Sequence, residues 1–212
     1  MATSRTTTRR KAARAADDGI PPRPRDREVL DAAAEVFARQ GYAAATVQDV
    51  ANALGILKGS IYYYIKTKED LLFRLLMEVH EEVDAILDEV AAKEDLTPLT
   101  RLREYVRTQT MYNLRNLVKI AIYYNDLDQL SDDRRAEVLQ RRKVHEDFVT
   151  QVILDAQRAG EVDNKRDAKL IAYSVFATII WPYRWYRPRG RIKAEDVVNA
   201  CVEFVTYGVA KR

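Results

Sequence analysis

Apolar residues recur with the 3.6-residue period of helices along nearly the whole chain, and the residues that would interrupt it are few, Gly 7 and Pro 6. The pattern predicts an all-α fold of about nine helices. Helix one spans 26–40, with Val29, Ala33, Val36 and Phe37 as its stripe and Gly41 closing it. Helices two and three fall within 46–65. Helix four, 68–93, has Thr67 as cap, acids Glu69 and Asp70 in its first turn, and a repeat from Leu72 to Val90. Thr97 and Pro98 restart the chain as a hydroxyl cap and a first-turn proline. Helix five then covers 98–113, helix six 117–130 and helix seven 131–159. Helix eight, 167–186, is interrupted by Pro182, which removes a backbone bond, presses on the Thr178 carbonyl and opens space beside Trp181. Helix nine, 194–208, follows a loop.

The stretch 46–68 organises the rest. Thr46 stands as an N-cap before Val47, Val50, Ala51 and Leu54, and Gly55 ends that helix where a left-handed residue is needed. Ile56 is the apolar plug of the turn. A second short helix over 58–65 opens with Lys58, Gly59 and Ser60, which have nothing to bury, and continues into Tyr62, Tyr63 and Tyr64. Three consecutive tyrosines cannot share one core, because successive helical residues point about 100° apart. This is the layout of a helix-turn-helix, whose second helix enters the DNA major groove. Lys58 and Lys68 flank it and are expected to neutralise phosphates. Tyr62 and Tyr63 are expected at the backbone or a thymine methyl, and Thr46, Gly59 and Ser60 beside them.

Composition narrows the class. Among 212 residues, 47% are hydrophobic and 32% charged, which suits a soluble globular chain. No apolar run approaches the length of a membrane span, and no apolar segment follows the basic N-terminus, so no membrane and no secretory signal are expected. The lone Cys201 excludes an internal disulfide and fits a reducing compartment, here the cytoplasm. His80 and His145 are 65 positions apart with no Cys nearby, so no metal or other cofactor is expected. The net charge is +3, yet residues 1–25 alone carry seven cations against two acids, a net of +5. That segment, ending in Pro21, Pro22 and Pro24, reads as a disordered basic arm, either adding phosphate contacts or simply solvated.

The string Ala34, Phe37, Gly41, Tyr42, Thr46, Val50, Ala51, Gly55, Ile56, Lys58, Gly59, Tyr62, Lys68 and Leu71 resembles the DNA-binding domain of the tetracycline-repressor (TetR) family of bacterial regulators. The chain departs at Leu57, where that family usually has a capping Ser or Thr, and at Tyr63 and Tyr64, where polar residues are usual. The resemblance implies a DNA-binding domain over 26–76, a helical ligand-binding and dimerisation domain over 77–212, and a homodimer on palindromic double-stranded operator DNA. More narrowly, Gly55-Ile56-Leu57, Gly59-Ser60 and Arg184-Trp185-Tyr186-Arg187-Pro188 are similar to actinobacterial repressors of steroid and fatty-acid catabolism, which implies an acyl-CoA thioester as effector.

The second half carries no nucleophile motif, no phosphate loop and no paired carboxylates, so no enzyme is expected. Its aromatic residues on helices predict a small-molecule pocket, since buried Tyr and Trp need partners for their polar tips. Tyr112, Tyr124, Phe148, Phe176 and Trp181 are the expected walls. Arg184 and Arg187 belong to a segment with five cations in ten positions and are the expected phosphate contacts. Val197, Cys201, Phe204, Val205 and Gly208 are the expected dimer contacts on helix nine. Three rival readings stay open: a TetR-type regulator answering to a hydrophobic drug or efflux substrate, a non-specific architectural DNA binder, and an enzyme built on the aromatic cavity.

Overall fold

The computed structural model describes residues 24–210. The predicted arm lies outside them, except that Pro24 and Arg25 already belong to the first helix, α1 (Pro24–Gln40). A proline at the first helical position is preset for the turn and loses no bond there. α1 buries Val29, Ala33, Val36 and Phe37 and ends at Gly41, whose φ is 79°. α2 (Val47–Ala53) starts from a capping box: Thr46 Oγ1 accepts from Asp49 N, and Asp49 accepts from Thr46 N at 2.8 Å. Gly55, φ 67°, makes the turn into α3 (Lys58–Ile61).

α3 is shorter than expected. Ile61 and Ile65 are both buried and hold the segment to the core, while the tyrosines between them continue as hydrogen-bonded turns. α4 (Lys68–Ala91) opens with a second capping box, Thr67 with Asp70, and runs from this head into the second half. α5 (Pro98–Arg115), α6 (Leu117–Asp126), α7 (Asp132–Arg158), α8 (Ala168–Ile180) and α9 (Ala194–Val209) complete the molecule. A 3-10 turn at Leu127–Gln129 follows α6, and a single helical turn at Pro182–Trp185 follows α8. Among the described residues the nine expected helices are therefore present, with the eighth broken where Pro182 falls. Among the described residues there is no strand, only one bridge between Val162 and Ala210.

The break has consequences that neighbouring side chains repair. Without an N–H on Pro182, the Thr178 carbonyl lacks its helical donor, and Cys201 Sγ lies 3.8 Å from it. Asn113 Nδ2 donates to the Ile179 carbonyl at 2.9 Å. Buried backbone acceptors need such partners.

The head and the second half meet in several places. α1 packs on α6. Ser131 N and Oγ donate to Glu69 Oε1 at 3.0 and 2.7 Å. Arg134 at the start of α7 pairs with Asp70 at the start of α4 and lies over the Phe73 ring.

Candidate nucleic-acid interface and ligand cavity

α3 presents an unencumbered surface. Leu57, in the N-cap position, makes no side-chain capping bond and is 81% exposed. Lys58 and Gly59 are exposed, as are Tyr62 and, at 89%, Tyr63. A Cβ at Gly59 would meet nothing within 4 Å, so internal packing does not require glycine there. The absence of a side chain leaves the backbone open to close approach. Thr46 is exposed at the base of the same surface, its hydroxyl engaged in the capping box. Arg74 Nη1 donates to the Tyr64 carbonyl at 3.0 Å and so holds the tyrosine turn onto α4.

Lys68 has a different task from the one expected. Its ammonium donates to the carbonyls of Tyr42, Ala45 and Ala43 at 2.8, 3.0 and 3.3 Å, and it sits 4.3 Å from the Tyr42 ring centroid. All three N–H donors are thus turned inward to the loop that carries the Thr46 cap. Lys58 makes no such contact.

In the second half, α4 to α8 enclose a cavity of 470 Å³. Tyr124, Phe176 and Trp181 line it as expected, with Tyr105 and Tyr123 beside them. Trp181, 61% exposed, stands at its mouth. Tyr112 and Phe148 do not line it. Tyr112 points its OH at Glu82 Oε2, 2.6 Å away, in a group that includes Lys119 and Glu78. Phe148 packs behind the wall against Tyr105.

The cavity has a polar side that aromatic content did not signal. His80 and His145 lie with ring centroids 5.0 Å apart. His145 Nε2 is 2.8 Å from Asp84 Oδ1, and His80 Nε2 is 3.1 Å from the Tyr123 hydroxyl. Burial, then the neighbouring His145, pushes the His80 pKa down to about 3, so its ring is neutral at ordinary pH. Burial works to raise the Asp84 carboxyl, but the His145 hydrogen bond and charge outweigh it and hold it below its usual value. Burial raises the Tyr124 phenol to about 12. Gln109 and Asn113 add a buried amide pair.

The cation at this cavity is Arg142, whose Nε donates to Glu146 Oε1 at 3.2 Å. Arg184 and Arg187 are elsewhere. Arg184 lies exposed over the Tyr183 ring, and that ring stacks on Tyr124 at 5.9 Å. Arg187 donates to the carbonyls of Tyr186 and Arg184 and borders a second cavity, 400 Å³, between α1 and α6. Arg184 lies within the Pro182 turn and Arg187 just beyond it, and neither lines the first cavity.

The family model of bacterial regulatory proteins of the tetR family matches residues 29–75, and that of the tetracyclin repressor-like C-terminal domain matches residues 95–209. The second match alone spans more than half of the chain. The chain belongs to the TetR family. It is a DNA-binding transcriptional regulator and not an enzyme, and α2 and α3 are its helix-turn-helix. The transcriptional repressor KstR2 of Mycobacterium tuberculosis is 28% identical over 193 residues, covering 87% of this chain and 92% of that protein. The structure of that ketosteroid regulator aligns with a TM-score of 0.82 at 26% identity, over 92% of this chain and 98% of that one. AibR, solved with isovaleryl coenzyme A and operator DNA, aligns with a TM-score of 0.77 at 26% identity, over 85% and 97% of the two chains.

This TetR-family chain turns two apolar stripes outward. α8 exposes Leu170, Tyr173, Ser174, Ala177 and, just after it, Trp181, while α9 exposes Phe204, Tyr207 and Gly208. Of the expected dimer contacts, Val197, Cys201 and Val205 are instead buried within the protomer, on the face of α9 that meets α5 and α8. Periodicity shows that a stripe exists but not which helix covers it. Among the described residues no helix is long and apolar enough to cross a membrane.

Proposed function

We propose that this chain is a homodimeric bacterial repressor, working in the cytoplasm on a palindromic operator and released from it by an acyl-CoA thioester. The observation that carries the reading is a 470 Å³ cavity with aromatic walls, a cation at Arg142 and an exposed mouth, set on the same helix, α4, that starts beside the reading turn. Its size falls in the usual range for small-molecule sites. The apolar walls suit an acyl group, and Arg142 suits an anionic headgroup. Isovaleryl coenzyme A on AibR supports the same effector class. The outward stripes of α8 and α9 suit a second copy, since large exposed apolar patches mark contact sites.

The test is fluorescence anisotropy on DNA from the protein's own promoter, titrated with acyl-CoAs and with the matching free acids. Release by the thioester and little release by the acid is the expected result. Arg142→Gln should blunt the response, whereas Arg184→Ala should blunt it less. Equal release by acid and thioester would remove the headgroup from the argument. Shallow sequence preference with no effector response would favour the architectural reading instead.

A further inference from the structure

The polarity of the buried amide relay fixes what the deep end of the cavity can recognise. The relay starts at the Ile179 carbonyl, which the Pro182 break leaves without its helical donor. A carbonyl only accepts, so Asn113 must turn its Nδ2 toward it, at 2.9 Å. Asn113 Oδ1 therefore accepts, and Gln109 must offer its Nε2, at 3.0 Å. This leaves Gln109 Oε1 as the end of the chain. Flipping either amide would set two donors or two acceptors against each other. Gln109 is 6% exposed and lines the cavity, and its Oε1 has no hydrogen-bond partner among the described residues. His80 Nδ1, also in the lining, has none either.

We infer that the buried part of the effector carries a hydroxyl group, whose proton is donated to Gln109 Oε1. The inference rests on the cavity being the effector site. The hydroxyl oxygen is then free to accept from His80 Nδ1–H, the tautomer in which His80 Nε2 accepts from the Tyr123 hydroxyl. A plain alkyl chain would leave these polar atoms buried and unpaired, which a hydrogen-bonding site penalises strongly. An amide N–H of the coenzyme A arm is the other donor that could reach such an acceptor. The burial of Gln109, Asn113 and His80 argues against it, because the charged end of that ligand must stay in contact with solvent.

Calorimetric titration with ω-hydroxyacyl-CoAs from butyryl to decanoyl, each against its unsubstituted match, tests this. The wild type should bind its best hydroxylated member about 10-fold or more tighter than the match. Gln109→Leu should erase the preference by strengthening the plain chain and weakening the hydroxylated one. Gln109→Glu, whose protonated carboxyl can both donate to Asn113 Oδ1 and accept from the ligand, should keep it, and it stands in if the Leu variant does not fold. No preference at any chain length, or a preference that survives Gln109→Leu, overturns the inference. Equal weakening of both members by Gln109→Leu assigns the acceptor to the coenzyme A arm and overturns it too. The same series is run as free alcohols and alkanes. Preferential binding of the alcohols with no thioester binding would sink the acyl-CoA reading and leave the hydroxyl inference standing.

Discussion

Replacing Lys68 by methionine separates a structural lysine from a phosphate contact. Its ammonium makes three hydrogen bonds to the loop between α1 and α2, at 2.8, 3.0 and 3.3 Å, and lies over the Tyr42 ring. Methionine keeps the stem and removes the charge. Hydrogen bonds to charged groups contribute about 1.5–3 kcal/mol each when fully buried. Here the carbonyls are partly exposed and water can replace the lysine, so the set is worth roughly 2 kcal/mol in total, to which the ring contact adds about 0.5. For a chain of this size that lowers the melting temperature by about 5–10 °C. The loop carries Thr46, so operator affinity falls as α2 and α3 lose their placement. The salt dependence of that affinity should not change, because no phosphate contact is lost. Thermal denaturation followed by circular dichroism gives the first quantity, and anisotropy between about 50 and 200 mM salt gives the second. An unchanged melting temperature together with a salt slope lower by about 0.9 would refute the argument and make Lys68 a phosphate ligand.

Gly59→Ala should raise the melting temperature slightly, since alanine favours a helix over glycine by about 0.5–1 kcal/mol, yet weaken operator binding, because the new methyl faces outward. His80 sets a pH dependence: with a folded pKa of about 3 against an ordinary 6.5, only the unfolded chain takes up its proton between those values. Its contribution is complete above pH 6.5 and falls by about 1.4 kcal/mol per unit below it, roughly 2 kcal/mol by pH 5, and urea melts of the wild type and His80→Gln at both pH values should show the difference disappear in the variant. Phe204→Glu, at a site 70% exposed, should give a folded monomer in sedimentation, whereas Val205→Glu one position along should prevent folding. Arg134→Ala should leave effector binding intact in calorimetry while reducing the fraction of operator released.

Local rules made much of the fold legible. The caps at Thr46 and Thr67, the left-handed Gly41 and Gly55, and the break at Pro182 are each decided by a few neighbouring residues, and the sequence carries them directly. The site was legible where aromatic side chains on the helices line the cavity, as for Tyr124, Phe176 and, at its mouth, Trp181. Lys68 was misread because its acceptors lie 23 to 26 residues away. Arg142 was missed because α7 is charged on most of its surface, and nothing in its spacing says which side faces a cavity. A signal was present in Arg142, His145 and Glu146, which share one helical face with the histidine among them. Separation in sequence hides the histidine pair, which α4 and α7 bring together by packing on each other.

A ligand acts on DNA binding only through unequal affinity for two arrangements of the chain, so the cavity must touch something that can take two positions. α4 and α7 form a frame that meets this need. Each carries cavity residues in its middle, His80 on one and His145 on the other, and each begins at the junction with the head, through Asp70 and Arg134. Ten residues of helix separate Asp70 from His80, about 15 Å of rise, so the frame is a pair of stiff levers. His145 clamps it at the cavity by its 2.8 Å bond to Asp84. At the other end Asp70 Oδ2 accepts from Lys66 N and Thr67 N, at 2.7 and 2.8 Å, immediately after the tyrosine turn. A shift of α7 against α4 is therefore felt first by the chain leaving the recognition segment. Beside the junction, α1 and α6 line a groove of 400 Å³. A tenfold change in operator affinity is about 1.4 kcal/mol, the scale of one or two such hydrogen bonds.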